Sequence, residues 1–161
     1  MEKRNILVTL ECFVQKDGKY LMLHRNINKR IMPGVWMAPG GKREFNEGLF
    51  ETTRREILEE TGLLIKNLRI RVAANAYIKD LDQEIFFHFI TADYASGVVK
   101  QNPEDGELKW LTFEEIGKLD NLLAEIKYIL PQLFITAETI SYMAVYEVGN
   151  KLTSFQMEDP K

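Results

Sequence analysis

The 161-residue chain predicts an α+β fold, an α/β/α sandwich with a mixed sheet between helices, in one domain spanning 1–161. Three observations carry that expectation. Apolar, partly β-branched runs recur along the chain. Two stretches show helical spacing. No repeat, low-complexity tract or linker separates them. An apolar fraction of 45 % and a charged fraction of 28 % exclude a disordered or fibrous chain. With 21 Lys and Arg against 24 Asp and Glu, the net charge is −3, which disfavours gripping nucleic acid through bulk charge. The single cysteine, Cys12, excludes an internal disulfide framework and a multi-cysteine zinc site. No apolar run approaches the ~18 residues of a membrane span. Met1 to Asn5 leads directly into an alternating segment without a signal-peptide layout, so the expected location is cytoplasmic.

Ile6 to Val14 reads as a strand, Asp17-Gly18 as a hairpin turn and Tyr20 to Leu23 as the returning strand. Arg25 to Gly34 is polar, basic and aperiodic, hence a loop. Pro33 to Gly41 packs two prolines and three glycines into nine residues, marking a constrained loop whose backbone turns sharply or approaches something closely. Leu49 to Thr61 predicts a helix, with Asn46 as N-cap, Phe50, Thr53 and Ile57 as its buried stripe, and Gly62 ending it. Leu68 to Tyr77 and Glu84 to Ala92 read as strands joined by a polar turn near Lys79 to Asp82. Apolar residues on both faces of the second predict an interior strand. Leu108 to Leu111 is a short strand, and Thr112-Phe113-Glu114-Glu115 a capping-box helix start. A further helix is expected from Asn121 to Leu130, stopping before Pro131. A terminal hairpin is expected at about 139–156, turned by Gly149-Asn150.

The chemistry concentrates between Gly41 and Leu63. On a helix Glu56, Glu59 and Glu60 sit at i, i+3 and i+4 and share one face. Like charges at these spacings cost ~0.2–0.5 kcal/mol per pair in an isolated helix. A solvated face has no use for that cost, whereas a hard divalent cation removes it. Arg55 is spaced to pair with Glu51 behind it and Glu59 ahead, and Glu47 stands at the helix entrance.

The same stretch resembles the signature of the Nudix hydrolase family, G-x5-E-x7-R-E-U-x-E-E-x-G-U, where U is bulky and aliphatic. Gly41, Glu47, Arg55, Glu56, Ile57, Glu59, Glu60, Gly62 and Leu63 fill it without a mismatch. The resemblance continues through Leu21 to Arg25, Trp36 to Gly41 and Glu107 to Leu111. It implies the Nudix fold and the hydrolysis of a nucleoside diphosphate linked to another group, using Mg²⁺ or Mn²⁺. Under it Glu56, Glu59 and Glu60 are metal ligands with the Gly40 carbonyl, Glu47 is an auxiliary group and Arg55 orients them. A carboxylate must also accept a proton from the attacking water. In some relatives this base lies on a loop after the sheet, where Glu104 and Glu107 are the candidates, Glu104 first for its place in the turn Asn102 to Gly106; Glu59 and Arg55 are the other residues read as catalytic.

Arg25 and Lys42 are candidates for phosphate contact and Gly41 for close approach to substrate; Trp36 and Met37 are candidates for packing on a base. The pattern is similar to MutT-like enzymes that hydrolyse oxidised purine nucleotides such as 8-oxo-dGTP to a monophosphate and pyrophosphate. Met37 departs from relatives with a polar base-reading residue after the Trp, since a thioether cannot read a hydrogen-bonding edge. The alternatives are an ADP-ribose, nucleotide-sugar or dinucleotide pyrophosphatase, an RNA 5′-end pyrophosphohydrolase, and a non-catalytic nucleotide-binding module. His24, His88 and Cys12 read as packing residues. The partner expected is a small nucleotide, with no membrane and no nucleic acid, and the hairpin's strand edges suit a homodimer.

Overall fold

The computed structural model describes residues 4–161, so the reading of Met1 to Lys3 as part of a leaderless start lies outside the described residues. In chain order the elements are β1 (Ile6–Lys16), β2 (Lys19–Arg25), β3 (Trp36–Met37), β4 (Gly40–Lys42), α1 (Leu49–Thr61), β5 (Leu63–Ile78), β6 (Gln83–Gly97), β7 (Gly106–Leu111), α2 (Phe113–Gly117), α3 (Ala124–Ile135), β8 (Tyr142–Glu147) and β9 (Lys151–Met157). A 3-10 turn at Lys79–Leu81 joins β5 to β6.

The strands form one mixed sheet in the order β3-β2-β1-β6-β5-β8-β9, with β4 on β1 and β7 on β2. Pairing is parallel for β1 with β6 and for β5 with β8, and antiparallel elsewhere. As expected from its two apolar faces, β6 is interior. One apolar layer packs Ile57 of α1 over Leu10, Cys12, Leu21, Leu63 and Ile90. The opposite layer packs Ile116 of α2 and Ile126, Ile129 and Leu133 of α3 over Phe13, Val72 and Phe89. Helices therefore cover both faces of the sheet, the α+β arrangement expected.

Several boundaries differ from expectation for identifiable reasons. The constrained loop contains two short strands, β3 and β4, because Gly40 and Gly41 lie flat against β1 (Leu10↔Gly41, Glu11↔Gly40). The N-cap of α1 is Gly48 and not Asn46. Asn46 instead takes a left-handed turn (φ 64°), a conformation its short amide tolerates. The Gly48 N–H donates to Glu51, so Glu51 closes the helix start and does not pair with Arg55. The buried row of α1 runs through Thr53, Ile57 and Thr61 at intervals of four; Phe50, outside that row, is 38 % exposed.

The last helix starts at Ala124 and runs through Pro131 to Ile135. A proline inside a helix costs about 3 kcal/mol. Leu133, fully buried beyond it, and Phe134 against Phe13 and Tyr20 return comparable apolar burial. The C-terminal hairpin forms with its turn at 148–150, but it is not an appendage. Its first strand, β8, adds to β5 in parallel and carries buried Tyr142, Ala144 and Tyr146 into the core, leaving β9 at the sheet edge. No described helix is long and apolar enough to cross a membrane.

Candidate active site

The site is built where β4 runs between β1 and α1. At Gly40 any side chain would drive into the backbone carbonyl of Leu10, and at Gly41 into the carboxyl of Glu56. Glycine at both positions lets one strand pass between another strand's backbone and a helix-borne acid. The loop is tied from both sides: Ala38 N–H donates to Glu11 Oε2 (3.1 Å) and Gly40 N–H to Glu60 Oε2 (2.9 Å). Cys12 N–H donates to the Pro39 carbonyl (2.8 Å).

Helix α1 ends as expected, with Gly62 in the left-handed conformation (φ 75°) and its N–H on the Leu58 carbonyl. That fixes the rotation of the last two turns and brings Glu56 and Glu60 to the glycine strand. Arg55 organises the acids. Its Nε and Nη2 grip the two Glu47 oxygens (2.6 and 2.9 Å), and Nη1 reaches Glu56 (2.9 Å) and Glu59 (3.3 Å). Nη2 also donates to the Lys42 carbonyl (3.1 Å), linking helix to glycine strand. Glu47 further accepts from Glu44 N–H and the Thr52 hydroxyl. With both oxygens committed, chiefly to Arg55, its carboxyl is pushed down to about 2. Arg55 is held charged well above its ordinary value, first by the Glu47 bond. Glu47 thus acts here as the clamp of Arg55.

Glu60 is mostly buried, and burial pushes its carboxyl up to about 7; the Gly40 N–H opposes the shift while Glu56 and Asp105 add to it. Glu59 is 60 % exposed and turned toward Arg55. Among the described residues no three His, Cys, Asp or Glu side chains converge as a metal cage. The donor set nevertheless suits a hard divalent cation: carboxylate oxygens of Glu56, Glu59 and Glu60 beside the backbone of Gly40, with no sulfur or imidazole among them.

The remaining candidates fall into two groups. Arg25, Met37, Gly41 and Lys42 line one cavity of about 200 Å³ that opens along the glycine strand. Trp36 is buried in the core, its ring stacked on His24 (centroids 4.5 Å, 7° between planes), so that face is already covered. Glu104 lies exposed in its turn, and Glu107 pairs with Lys109 (3.1 Å) on the surface. His88 packs with Nδ1 on the Thr9 carbonyl, and Cys12 is fully buried, as expected.

Three acids escaped the sequence reading. Asp105, not Glu104, is the carboxylate of that turn whose charge acts on Glu60; it is held by Lys29 (2.9 Å) and Asn102. Glu11 and Glu125 are both almost completely buried and line the same cavity. A lone charge inside the apolar run Ile6 to Val14, and a glutamate in phase with the apolar row of α3, were the available signals.

A glycine strand laid against a helix of clustered carboxylates, beside a cavity lined by Arg25 and Lys42, has the chemistry that hydrolysis of phosphate anhydrides calls for. The model of the NUDIX domain matches residues 7–133. Over 112 residues the chain is 33 % identical to the uncharacterized Nudix hydrolase YvcI of Bacillus subtilis, covering 67 % of each protein. Phosphatase NudJ of Escherichia coli K12 is 30 % identical over 118 residues, 71 % of this chain and 74 % of the relative. The crystal structure of a MutT protein from Bacillus halodurans superposes with a TM-score of 0.81 at 28 % identity, covering 97 % of this chain and 99 % of that one. The chain belongs to the Nudix family. It is a pyrophosphohydrolase of nucleoside diphosphate derivatives, and such enzymes generally use divalent metals.

Proposed function

We propose that this chain is a Mg²⁺- or Mn²⁺-dependent nucleoside triphosphate pyrophosphohydrolase, releasing a monophosphate and pyrophosphate, with an oxidised purine of the 8-oxo-dGTP type as preferred substrate. The observation that carries the reading is the Glu56–Gly41 apposition, with Glu60 bonded to Gly40 and the cavity opening on the other side of that strand. It supports a triphosphate running along the glycine strand with its base in the cavity.

Glu56, Glu59 and Glu60, with the Gly40 carbonyl, are the groups that hold the cation. When bound, it screens the phosphate charge and acidifies the attacking water. The chain's own groups do the rest. Glu47 fixes the Arg55 fork, and Arg55 holds Glu56 and Glu59 in register, relieving their repulsion. Arg25 and Lys42 at the cavity rim offer positive charge to the phosphates. Glu59 is the least restrained of the three helix acids and is assigned proton acceptance from water; Glu104 and Glu107 are the alternates on the neighbouring surface.

The test is product analysis in ¹⁸O-labelled water over a panel of nucleoside triphosphates, 8-oxo-dGTP, ADP-ribose, a nucleotide sugar and 5′-triphosphorylated RNA. Monophosphate and pyrophosphate from triphosphates, fastest with 8-oxo-dGTP, are expected. Equal turnover of 8-oxo-dGTP and dGTP removes the oxidised-purine assignment, and exclusive cleavage of ADP-ribose removes the triphosphate one. Glu59→Gln is expected to lower kcat by ~10²–10⁴-fold with the fold intact; unchanged kcat refutes its role.

A further inference from the structure

A second cavity, of about 240 Å³, lies under the C-terminal end of α3. Along β1, β6 and β5, the core residues Phe13, Phe89 and Val72 lie between its residues and those of the cavity beside the glycine strand. Its polar wall follows from strand register. Gln15 of β1 stands opposite Asp93 of β6, and Thr91 of β6 opposite Arg69 of β5. Paired residues point to the same side of a sheet, so these four side chains share the face that α3 covers. Arg71 joins them through a β-bulge: Ile70 pairs with Ile90 and Val72 with Phe89, leaving Arg71 as the extra residue. A bulge re-aims a side chain. This one turns Arg71 under α3, where its Nη2 donates to the Thr136 carbonyl at the helix end and lies 3.4 Å from those of Gln132 and Glu138.

Arg71 lines the cavity at 8 % exposure, and its Nε is buried without a partner. Among the described residues no carboxylate pairs with Arg71 or Arg69. The end of α3 offers Arg71 only the partial charge of its carbonyls. Burial, and then the Arg69 charge, hold the Arg71 pKa below its ordinary value. A buried charge left without its counterion is strongly destabilising. Two guanidinium groups in one small cavity therefore fit an oxyanion.

The one acid in the cavity narrows the choice. Asp93 accepts from the Asn67 amide (2.8 Å) and keeps acceptor capacity on its other oxygen. A carboxylate repels an anion that has no proton and holds one that has. Sulfate carries none near neutral pH. A phosphomonoester gives up its last with a pKa of ~6. Orthophosphate keeps at least one O–H across the physiological range. A whole nucleotide exceeds a cavity below the ~300 Å³ at which drug-sized sites begin. We propose that Arg69 and Arg71 bind orthophosphate in this cavity, with Asp93 accepting the hydrogen bond from its P–O–H group. The site stands apart from the hydrolytic reading and does not rest on it. Bound phosphate supplies the countercharge that Arg71 lacks and so tightens the end of α3 against β5.

The test is an NMR titration of the metal-free protein, near pH 8, with orthophosphate, sulfate and a glycerol phosphate. It is read at the backbone amides of Asn67, Arg69, Thr91 and Asp93, and at Gly40 and Gly41 for the catalytic site. Saturable shifts in the first group are expected, with orthophosphate at least tenfold tighter than sulfate or the ester. Arg69 is exposed and takes no part in the Thr136 contact. Arg69→Gln is expected to weaken orthophosphate ~10-fold or more, the value of a charged hydrogen bond, with nucleotide hydrolysis unchanged. Asp93→Asn is expected to abolish the preference over sulfate. Orthophosphate is expected to raise the melting temperature of wild type and not of Arg69→Gln.

Shifts confined to Gly40 and Gly41, shifts that do not saturate, or an equal response to the three anions overturn the proposal. Wild-type affinity in Arg69→Gln does so too. Should Asp93→Asn fail to fold, the wild-type ratio of orthophosphate to sulfate affinity decides the role of Asp93.

Discussion

Replacing Gly41 with alanine adds one methyl group between β4 and α1. The added carbon would stand more than 1 Å inside the 3.4 Å at which ordinary van der Waals contact begins, and the atoms it meets are the Glu56 carboxyl group. A terminal carboxyl can swing away by rotating its χ angles, so the fold survives; its position does not. Displacing a reacting group by ~1 Å costs on the order of 10²-fold in rate, or about 2.7 kcal/mol of transition-state stabilisation. Gly41→Ala is therefore expected to lower kcat/KM about 10²-fold at saturating Mg²⁺ while its melting temperature stays within a few degrees of wild type. Two neighbours calibrate the result. At Gly40 the methyl would meet the Leu10 carbonyl of β1, which cannot yield without breaking the β1–β4 pairing, so Gly40→Ala is expected to lose stability along with activity. At Gly48 nothing lies within 4 Å, and Gly48→Ala is expected to keep both. The measurements are steady-state pyrophosphate release and thermal denaturation of the three variants. A Gly41→Ala enzyme with wild-type kcat/KM refutes the claim that the reaction depends on the Glu56 carboxyl held at the glycine strand.

Two further outcomes follow from the electrostatics. Arg55→Lys keeps the charge but loses the fork that joins Glu47, Glu56, Glu59 and the Lys42 carbonyl, so kcat/KM is expected to fall ~10–100-fold with a higher Mg²⁺ requirement; an unchanged Mg²⁺ titration contradicts the clamp. Burial pushes the Glu125 carboxyl up to about 7 from the usual value near 4.3. Between those values the folded protein holds a proton that the unfolded chain has released, so stability falls as pH rises through the window and levels off above it. At about 1.4 kcal/mol per pH unit the loss is about 4 kcal/mol. Chemical denaturation from pH 4 to 8 is expected to show this decline in wild type and a flatter profile in Glu125→Gln; identical profiles refute a neutral buried Glu125.

Much of this protein was legible in its sequence because the governing forces act between chain neighbours. The left-handed glycine after Thr61, the reciprocal cap of Thr112 and Glu115, and the four-residue spacing of Glu56 and Glu60 are local properties, and the structure reproduces them. Tertiary packing decided the rest. Parallel pairing with β6 and closure by α3 bury Glu11 and Glu125, far apart in the chain, in one cavity. The stack of His24 on Trp36 depends on β2 meeting β3. Pro131 should stop a helix on local grounds, yet apolar burial on both sides of it carries α3 through. Spacing also pointed Arg55 to Glu51, whereas the structure gives it Glu47. The difference was decided by the left-handed turn at Asn46, which folds Glu47 back alongside the helix so that its two oxygens meet the guanidinium edge. Local sequence sets which conformations a segment prefers; which polar groups end up buried together depends on long-range contacts that no segment contains.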